Sequence, residues 1–421
     1  MTLRRQLLLV SLLLLALPWA GCQFVRETEN TLQRGQEQAL LATSRAVASV
    51  LSGQTGLIYP DPARMRDSTR DDAVFASAAD APIIVDGYGD SWREDGSQMF
   101  GPVRLRAATH GERLYLLVNV SDSQVVYHDP TRREPGTGDR LVLRTGSGRD
   151  YVLATAAPGG LQARYSTFRG DTRWESRIRG YWQDTLEGYN LELELPLELV
   201  RGRLGFYVVD NQPPADSGIA AWHGNLPPGQ RGLPPWLIYS PAGLQAAIAP
   251  FGDTDLRLRI VDLQRWTVGE TGQLSDAVST SAGTGDSHWL LRALYRATLS
   301  GVRLPPPPTG DQPGNTAGSV IDEVLGGHPA SAWYQPQDLQ QKLLRAASPI
   351  TADGRVIGAV VAEQYNERYL SLTDAAFSEL LSASLLAIGT AALGLLGYAS
   401  WLSWRIRRLA RDARDALDEQ G

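Results

Sequence analysis

Two uncharged apolar segments lie near the ends of the 421-residue chain, and each carries arginines on its outer flank. The first covers residues 6–25 behind Arg4 and Arg5, and the second covers residues 380–404 ahead of an arginine-rich stretch that begins at Arg405. A helix needs about 20 apolar residues to cross the hydrocarbon core of a bilayer, so each segment is long enough. Because arginine-rich flanks favour the cytoplasmic side, the pattern predicts two transmembrane helices with the intervening chain outside the cytoplasm.

The first apolar segment leaves an alternative open, because it contains the only cysteine, Cys22. The run from Trp19 to Cys22 resembles a bacterial lipoprotein signal, in which the cysteine would be acylated. The stretch is longer than the apolar region of a usual signal peptide, which favours an uncleaved anchor. A single cysteine also excludes an intrachain disulfide, so the extracytoplasmic part must be stabilised by its hydrophobic cores.

Composition narrows the class of protein between the two segments. The net charge of −6 and the pI near 5.5 give no reason to expect nucleic-acid binding. A hydrophobic content of 43% is typical of globular domains rather than of a multi-span transporter. The length predicts two or three domains.

Residues 26–55 are predicted to form a helix directly outside the first span. Val25, Leu32 and Ala39 keep a seven-residue step, and Leu40 and Val47 keep a second one. Such steps can form a packing seam against another helix, or they can place a helix on its own domain. Both interpretations stay open.

After this helix, the residue pattern of the chain divides into two regions. Residues 79–245 contain short runs rich in β-branched and aromatic residues, which predict an antiparallel β-sandwich. Within it, residues 191–195 alternate leucine and glutamate, the pattern of a strand with one face in water. Residues 250–375 combine predicted helices at 288–299 and 317–325 with strands at 256–263, 343–351 and 356–365, which predicts an α+β domain with one antiparallel sheet.

Five segments of the predicted sandwich match a known pattern in the expected order. They are IIVDGYGDSW at 83–92, LYLLVNVSD at 114–122, GDRLVLR at 138–144, EGYNLELELPL at 187–197 and LGFYVVDN at 204–211. Together they resemble the family 9 carbohydrate-binding module and its relatives.

Candidate ligand contacts follow from this resemblance and from the residues themselves. Sugar binding uses aromatic rings and charge-assisted hydrogen bonds, so Trp92 and Trp182 are candidate stacking rings. Asp122, Asp139 and Asp210 lie where strands meet loops, positions that suit a cation. Asp122 and Asp139 are therefore candidate ligands for Ca²⁺ or a glycan. The alternatives are core packing for the rings and turn capping for the carboxylates.

The segment 250–375 resembles the PAS-like or Cache-like periplasmic sensor domains of Gram-negative histidine kinases. In such sensors the helix that leaves the first span stacks on the sheet, and the sandwich would be an insertion between them. Residues 405–421 resemble the first helix of a HAMP linker, with Ile406, Leu409, Ala413 and Leu417 at three- or four-residue steps. The alternative is a basic membrane anchor followed by a disordered tail.

Taken together, these features resemble the sensor half of the histidine kinases of proteobacterial dedicated sortase systems. The resemblance implies a fold class of two transmembrane helices flanking a periplasmic ectodomain, in which an all-β antiparallel sandwich accompanies an α+β PAS/Cache-like domain. The segments are a cytoplasmic N-terminus (1–5), a transmembrane helix (6–25), a periplasmic helix (26–55), the sandwich (79–245), the sensor domain (250–375), a second transmembrane helix (380–404) and a HAMP-like start (405–421).

The resemblance also implies partners and a route for the signal. It implies a homodimer in the bacterial inner membrane and a response regulator reached through a kinase portion. Signal transmission is expected to depend on Leu32, Val47, Leu380 and Leu409. The second hypothesis is a membrane-anchored module that binds a glycan or a sortase-system surface protein without signalling output.

No residue of this chain is predicted to be catalytic. The five histidines all lie before the second span, and the chain after Arg405 contains neither a phospho-acceptor histidine nor a glycine-rich ATP-binding loop. No nucleophile–base motif occurs, and no two histidines have the spacing of metal ligands. The kinase core is therefore expected to be absent from this chain, and Ca²⁺ in the sandwich is the one cofactor left open.

Overall fold

The structure, a computed structural model, describes residues 27, 30–67, 72–93, 96–132, 137–167, 169–211, 221–274, 304–336, 342–365 and most of 389–411. The helices are α1 (30–51), α2 (Thr55–Ile58), α3 (Pro62–Arg66), α4 (Leu197–Val200), α5 (Ala242–Ile248), α6 (Ser319–Leu325) and α7 (the described residues of 389–411), with a 3₁₀ turn at Ala249–Phe251. The strands up to the longest one are β1 (Val74–Phe75), β2 (Ser77–Ala78), β3 (Gln98–Phe100), β4 (Val103–His110), β5 (Arg113–Ser121), β6 (Arg140–Thr145), β7 (Asp150–Leu153), β8 (Gly159–Ser166) and β9 (Thr172–Thr185). The remaining strands are β10 (Gly188–Pro196), β11 (Leu204–Asp210), β12 (Ala221–Gly224), β13 (Leu237–Ile238), β14 (Arg257–Asp262), β15 (Thr267–Thr271), β16 (Ala330–Tyr334), β17 (Leu343–Ala352) and β18 (Arg355–Tyr365).

An eleven-stranded sheet forms the larger body of the protein, in the order β12-β11-β6-β7-β8-β9-β10-β5-β4-β2 with β3 also paired to β4. The sheet is curled: side chains from β5 and β10 share one core with side chains from β6, β7 and β11. At the middle of the sheet, the 14-residue strand β9 pairs with β8 across a register shift at Gln162/Ala163. Such a bulge increases local bending of a strand pair.

The second body is a five-stranded antiparallel sheet in the order β15-β14-β18-β17-β16. Successive side chains of each strand point to opposite faces of the sheet, so both faces can be packed. One face packs against α1 and α5 in a core that includes Val47, Leu51, Ile260 and Val360. The opposite face packs against α6 through a smaller cluster.

A two-stranded parallel pair joins the two bodies. Strands β1 and β13 pair Val74 with Leu237 and Phe75 with Ile238. Val74 and Leu237 lie in the core of the curled sheet, whereas Ile238 lies in the core under α1, with Phe75 packed against it. Because alternate side chains enter different cores, the chain entering the curled sheet and the chain leaving it are held together by both bodies.

The predicted β-rich character is confirmed, and strands occupy the predicted positions at 114–120, 140–144 and 204–210, and 189–196 of the predicted 189–197, since Leu197 begins α4. The prediction that the glutamates of 191–195 face water is wrong for Glu192, which is completely buried. Its carboxylate is covered by the turn around Asp86, a contact that strand alternation cannot reveal.

Across the described parts of the chain, no helix is both long and apolar enough to cross a membrane. The predicted first span at 6–25 lies outside the described residues, and so do 380–388 of the second span. The predicted helix at 288–299 and the last part of the HAMP-like segment, 412–421, also lie outside them. The two transmembrane helices stay predictions.

Candidate functional site

Three aspartates meet at one end of the curled sheet. Asp122 follows β5, Asp139 precedes β6 and Asp210 ends β11, and one carboxylate oxygen of each lies within 4.8 Å of the others. Strand β5 lies on one side of the core, and the neighbouring strands β6 and β11 lie on the other side. The curl of the sheet therefore brings together strand ends that are distant in the sequence.

Backbone amides hold two of these carboxylates in place. Asp139 accepts hydrogen bonds from Val126 N at 2.6 Å and from Asn211 N at 2.7 Å. Asp122 Oδ1 accepts one from Gln124 N at 2.9 Å. These bonds fix each loop while leaving other carboxylate oxygens aimed into the cluster.

Two oxygens of the cluster, Asp122 Oδ2 and Asp210 Oδ1, are buried and have no hydrogen-bond partner among the described residues. The same holds for the buried hydroxyl of Tyr189. Burial and the three carboxylates, Asp139 first among them, raise the pKa of this tyrosine, so its hydroxyl stays protonated. An unsatisfied buried polar group costs roughly 1–3 kcal/mol, so three of them at one place indicate a missing partner.

The raised pKa values in the cluster also indicate a missing partner for its carboxylates. Burial, together with the nearby Asp122 carboxylate, raises the pKa of Asp139 to about 6 despite its two backbone hydrogen bonds. Burial and Asp122 likewise raise the pKa of Asp210. Carboxylates that crowd together disfavour ionisation unless a proton or a cation lies between them.

These three residues can hold a hard metal ion. Carboxylate oxygens are the preferred ligands of Ca²⁺, Mg²⁺ and Mn²⁺, and the cluster offers one oxygen from each of three residues. Of the sequence candidates, Asp122 and Asp139 are brought together here, and Asp210 completes the group. Tyr189 had no sequence signal, because only tertiary contacts place its hydroxyl among the carboxylates.

Trp182 lies in the core beneath this cluster rather than at the surface. Its side chain is 1% exposed, and its ring stacks on that of Tyr189 with centroids 4.0 Å apart. Its Nε1 donates a hydrogen bond to Asp184 Oδ1 at 3.1 Å, and Tyr127 donates to the same carboxylate. The prediction that Trp182 stacks on a ligand is therefore corrected, because a buried ring offers no face to a sugar.

Trp92 lies apart from the aspartate cluster, on the outer face of β10. Its Nε1 donates a hydrogen bond to Glu192 Oε1 at 2.6 Å, and Glu192 Oε2 accepts from Asp86 N at 3.0 Å and Gly87 N at 2.7 Å. Gly87 has a φ of +89°, and a Cβ there would lie 2.7 Å from Cβ of Gln183. The VDG turn and Trp92 thus fasten the segment 83–92 onto the sheet around a buried carboxyl group.

The residues expected to transmit a signal fall in different places. Val47 is buried between α1 and the five-stranded sheet. Leu32 is 47% exposed on α1, and Leu409 is exposed on α7. Leu380 lies outside the described residues.

A cleft of about 890 Å³ opens beside the joint between the two bodies, next to Trp236 and Tyr239. Its charged lining contains both signs, with three acidic residues (Asp61, Glu112 and Glu198) beside five arginines (Arg64, Arg113, Arg177, Arg179 and Arg201). This mixture selects no single class of ligand. The three-carboxylate cluster is therefore the better defined of the two sites. Comparison with protein-family models, with curated proteins and with solved structures finds no match to this chain.

Proposed function

We propose that this chain is the periplasmic input portion of a two-component sensor histidine kinase, held in the bacterial inner membrane by segments 6–25 and 380–404. The observation that carries the proposal is the core shared by α1 and the five-stranded sheet. Helix α1 follows the first apolar segment, and β18 is the last described strand before the second. The two routes to the membrane therefore meet in one packed unit.

Polar contacts fix the position of α1 on the sheet. The hydroxyls of Ser44 and Ser348 share a buried hydrogen bond of 2.7 Å. Beyond the helix end, Gly53 N donates to Thr351 O at 3.0 Å. These bonds define a register between α1 and β17, and a register can have two discrete states.

A five-stranded antiparallel sheet with a long helix on one face supports a PAS/Cache-like sensor domain. The β1–β13 joint supports the sandwich as an insertion into that domain, since its entering and leaving strands pair side by side. A change in the sandwich would reach the sheet through this joint. To act as a signal, it must favour one of two packings of α1 against the sheet.

The proposed partners follow from the same arrangement. Leu32 and Ala39 are exposed on α1 at a seven-residue spacing, while Leu40 and Val47 face the sheet. The exposed pair supports a homodimer built along α1. Output to a response regulator would pass through the HAMP-like segment to a kinase core supplied beyond it.

A reversible cross-link between α1 and β17 tests the signalling proposal. The double variant Ser44→Cys/Ser348→Cys is made in a Cys22→Ala background and fused to the transmitter of a characterised histidine kinase. The two hydroxyl oxygens are 2.7 Å apart, so a disulfide needs only a small adjustment. We expect oxidation to hold autophosphorylation at one level and reduction to restore its normal range.

The matched control is Ser49→Cys/Ser348→Cys, because Ser49 is exposed on the same helix. Its cysteines should not cross-link within one chain. Equal autophosphorylation in the oxidised and reduced forms of the Ser44 pair would refute the proposal.

A second candidate function is cation-dependent binding of a glycan or protein by the sandwich. The observation that favours it is the three-carboxylate cluster, with Ca²⁺ as the proposed ion because its 6–8 oxygen ligands tolerate irregular sites. Trp222 is exposed on β12 and pairs across the strands with Val209, next to Asp210, so it could contact such a ligand, whereas the exposed Trp174 lies on the more distant strand β9.

A glycan array probed with the full chain, with and without Ca²⁺ at roughly 1 mM, the affinity scale of extracellular calcium modules, tests this candidate. We expect saturable binding that is lost on chelation and in the Trp222→Ala variant. An array that stays empty in both conditions argues against glycan as the ligand.

A further inference from the structure

A buried group of charges lies on the face of the five-stranded sheet opposite α1. Its centre is Glu363 on β18, which is fully buried. Three arginines converge on this carboxylate from the neighbouring strands β14 and β17: Arg257, Arg259 and Arg345. None of these four residues was singled out by sequence motifs, since they come together only through strand pairing.

Each carboxylate oxygen of Glu363 is already occupied twice. Oε2 accepts from Arg257 Nε at 2.9 Å and from Arg257 Nη2 at 2.6 Å. Oε1 accepts from Arg259 Nη2 at 2.6 Å and from Arg345 Nε at 2.7 Å. Burial alone would raise the pKa of Glu363, but the three guanidinium groups outweigh it and hold that pKa well below its usual range.

The positive charges outnumber the negative ones. Three guanidinium groups against one carboxylate leave two positive charges uncompensated within the group, and Glu270, paired across the strands with Arg259, reduces this excess by one at most. An excess of buried charge is costly unless a counter-charge is present. The group is therefore incomplete as an electrostatic unit.

One donor of the group is also buried without an acceptor. Arg259 Nε has no hydrogen-bond partner in the part of the chain that the structure describes, although its neighbour Nη2 is bonded to Glu363. Arg345 is occupied elsewhere, since its Nη1 donates to Ala317 O at 3.2 Å and its guanidinium lies 5.3 Å from the ring of Tyr334. The unused hydrogen-bonding capacity thus includes a buried nitrogen of Arg259.

Solvent can reach the two arginines of β14. The side chain of Arg257 is 33% exposed and that of Arg259 is 16% exposed, whereas Arg345 is almost fully covered. Guanidinium groups bind carboxylates and phosphates through two parallel N–H···O bonds. A small anion approaching from this side would meet paired donors and an uncompensated positive field.

We propose that Arg257 and Arg259 form a binding site for a small oxyanion of one or two negative charges, on the sheet face opposite α1. The oxyanion, a carboxylate or a phosphate, would accept a hydrogen bond from Arg259 Nε. It would also balance the positive charge of the arginines that Glu363 does not neutralise. Anion binding here is independent of the signalling role, because it is measured directly and requires no kinase.

Isothermal titration of the purified full chain tests the site, with acetate, malonate, phosphate and sulfate in separate arms at constant chloride. We expect at least one arm to give saturable heat. The arms that bind distinguish a carboxylate ligand from a phosphate-like one.

The decisive variant is Arg259→Lys, which keeps the charge but removes Nε and the planar fork. We expect roughly tenfold weaker binding in it, the loss of about one charge-assisted hydrogen bond. The matched control is Arg132→Lys on an exposed loop of the sandwich, which should bind like the native chain. Arg257→Lys, at the more exposed position, serves in place of Arg259→Lys should circular dichroism show that variant unfolded. Absence of heat in every arm, or equal affinity in the native chain and the lysine variant, would overturn the proposal.

Discussion

Trp92 and Glu192 are joined by a hydrogen bond of 2.6 Å although 100 positions of sequence separate them. The same carboxylate accepts from two backbone amides of the Asp86–Gly87 turn. A glutamate in the middle of a strand is thus buried with its carboxylate surrounded by donors from one distant segment. This arrangement explains why the VDG turn and a tryptophan occur together ahead of the first long strand.

Replacing Glu192 should destabilise the curled sheet. Glu192→Gln places an amide NH₂ against donors that need an acceptor, so we expect a loss of about 2–3 kcal/mol, the value of a hydrogen bond to a buried charged group. Urea denaturation followed by tryptophan fluorescence measures it. The control is Glu194→Gln on the same strand, whose partly exposed ion pair with Arg113 should contribute less than about 1 kcal/mol. Similar losses in both variants would contradict the role given to the buried carboxylate.

Removing one carboxylate of the aspartate cluster should abolish cation binding without unfolding the chain. In the Asp122→Asn variant, Oδ1 still accepts the hydrogen bond from Gln124 N. The new NH₂ replaces the buried Oδ2 of the native carboxylate and faces Asp139. We expect Ca²⁺ to raise the melting temperature of the native chain and not that of this variant. Differential scanning fluorimetry checks this, with Asp171→Asn in an exposed turn as the control. A calcium shift that survives in Asp122→Asn would rule the cluster out as the site.

The stability of the cation-free chain should fall as the pH rises from about 4 to about 6. The pKa of Asp139 is raised to about 6 in the folded chain by burial and by Asp122, so the folded state binds a proton more tightly than the unfolded state. The contribution is fully present below the unfolded pKa of about 3.9 and is lost as the pH passes the folded value. Denaturation midpoints across this range measure the slope, and Asp139→Asn should flatten it. Bound Ca²⁺ should cancel the loss above about pH 6, since the metal requires the ionised form.

The two seven-residue patterns of α1 should respond differently to substitution. Val47→Ala leaves a cavity against the five-stranded sheet, with an expected loss of about 2 kcal/mol. Leu32→Asp changes an exposed position, so the melting temperature should stay the same while self-association weakens. Analytical ultracentrifugation in detergent, together with thermal unfolding, separates the two effects. Unchanged self-association in Leu32→Asp would remove Leu32 from the proposed dimer contact.

Trp182 and Trp174 provide a matched pair of ring deletions on β9. Trp182→Ala removes a buried ring stacked on Tyr189, so we expect a loss of about 3–5 kcal/mol. Trp174 is 57% exposed and packs against the guanidinium of Arg164, so Trp174→Ala should cost about 1 kcal/mol or less. Urea midpoints of the two variants measure the difference. Equal midpoints would show that the ring of Trp182 is not part of the core.

Local pattern predicted the regular parts of the curled sheet well. Strands such as β5, β10 and β11 are runs of β-branched and aromatic residues bounded by turn residues, and they occur where the sequence places them. The longest strand, β9, was not predicted, because arginine, glutamate and glycine interrupt its apolar residues. Its position depends on pairing with β8 and β10 on both sides, which is a tertiary effect.

The candidate cation site was partly visible in the sequence. Asp122, Asp139 and Asp210 each stand at a strand end, where a loop begins and a carboxylate can point away from the core. Their spacing along the chain does not predict the distances between their carboxylates, because they come from strands on opposite sides of the core that the curled sheet encloses. The contribution of Tyr189 and the burial of the carboxylate oxygens arise only when the strands close around the core.

By itself, the sequence determined the elements: apolar segments at both ends, a long helix, two β-rich regions and aspartates at strand ends. Only the tertiary structure decided which polar residues are buried. It placed Glu192 under the VDG turn, Trp182 beneath the aspartates and Glu363 among three arginines. The physical reason is that secondary structure follows from local periodicity, whereas the burial of a charge depends on partners supplied by distant strands.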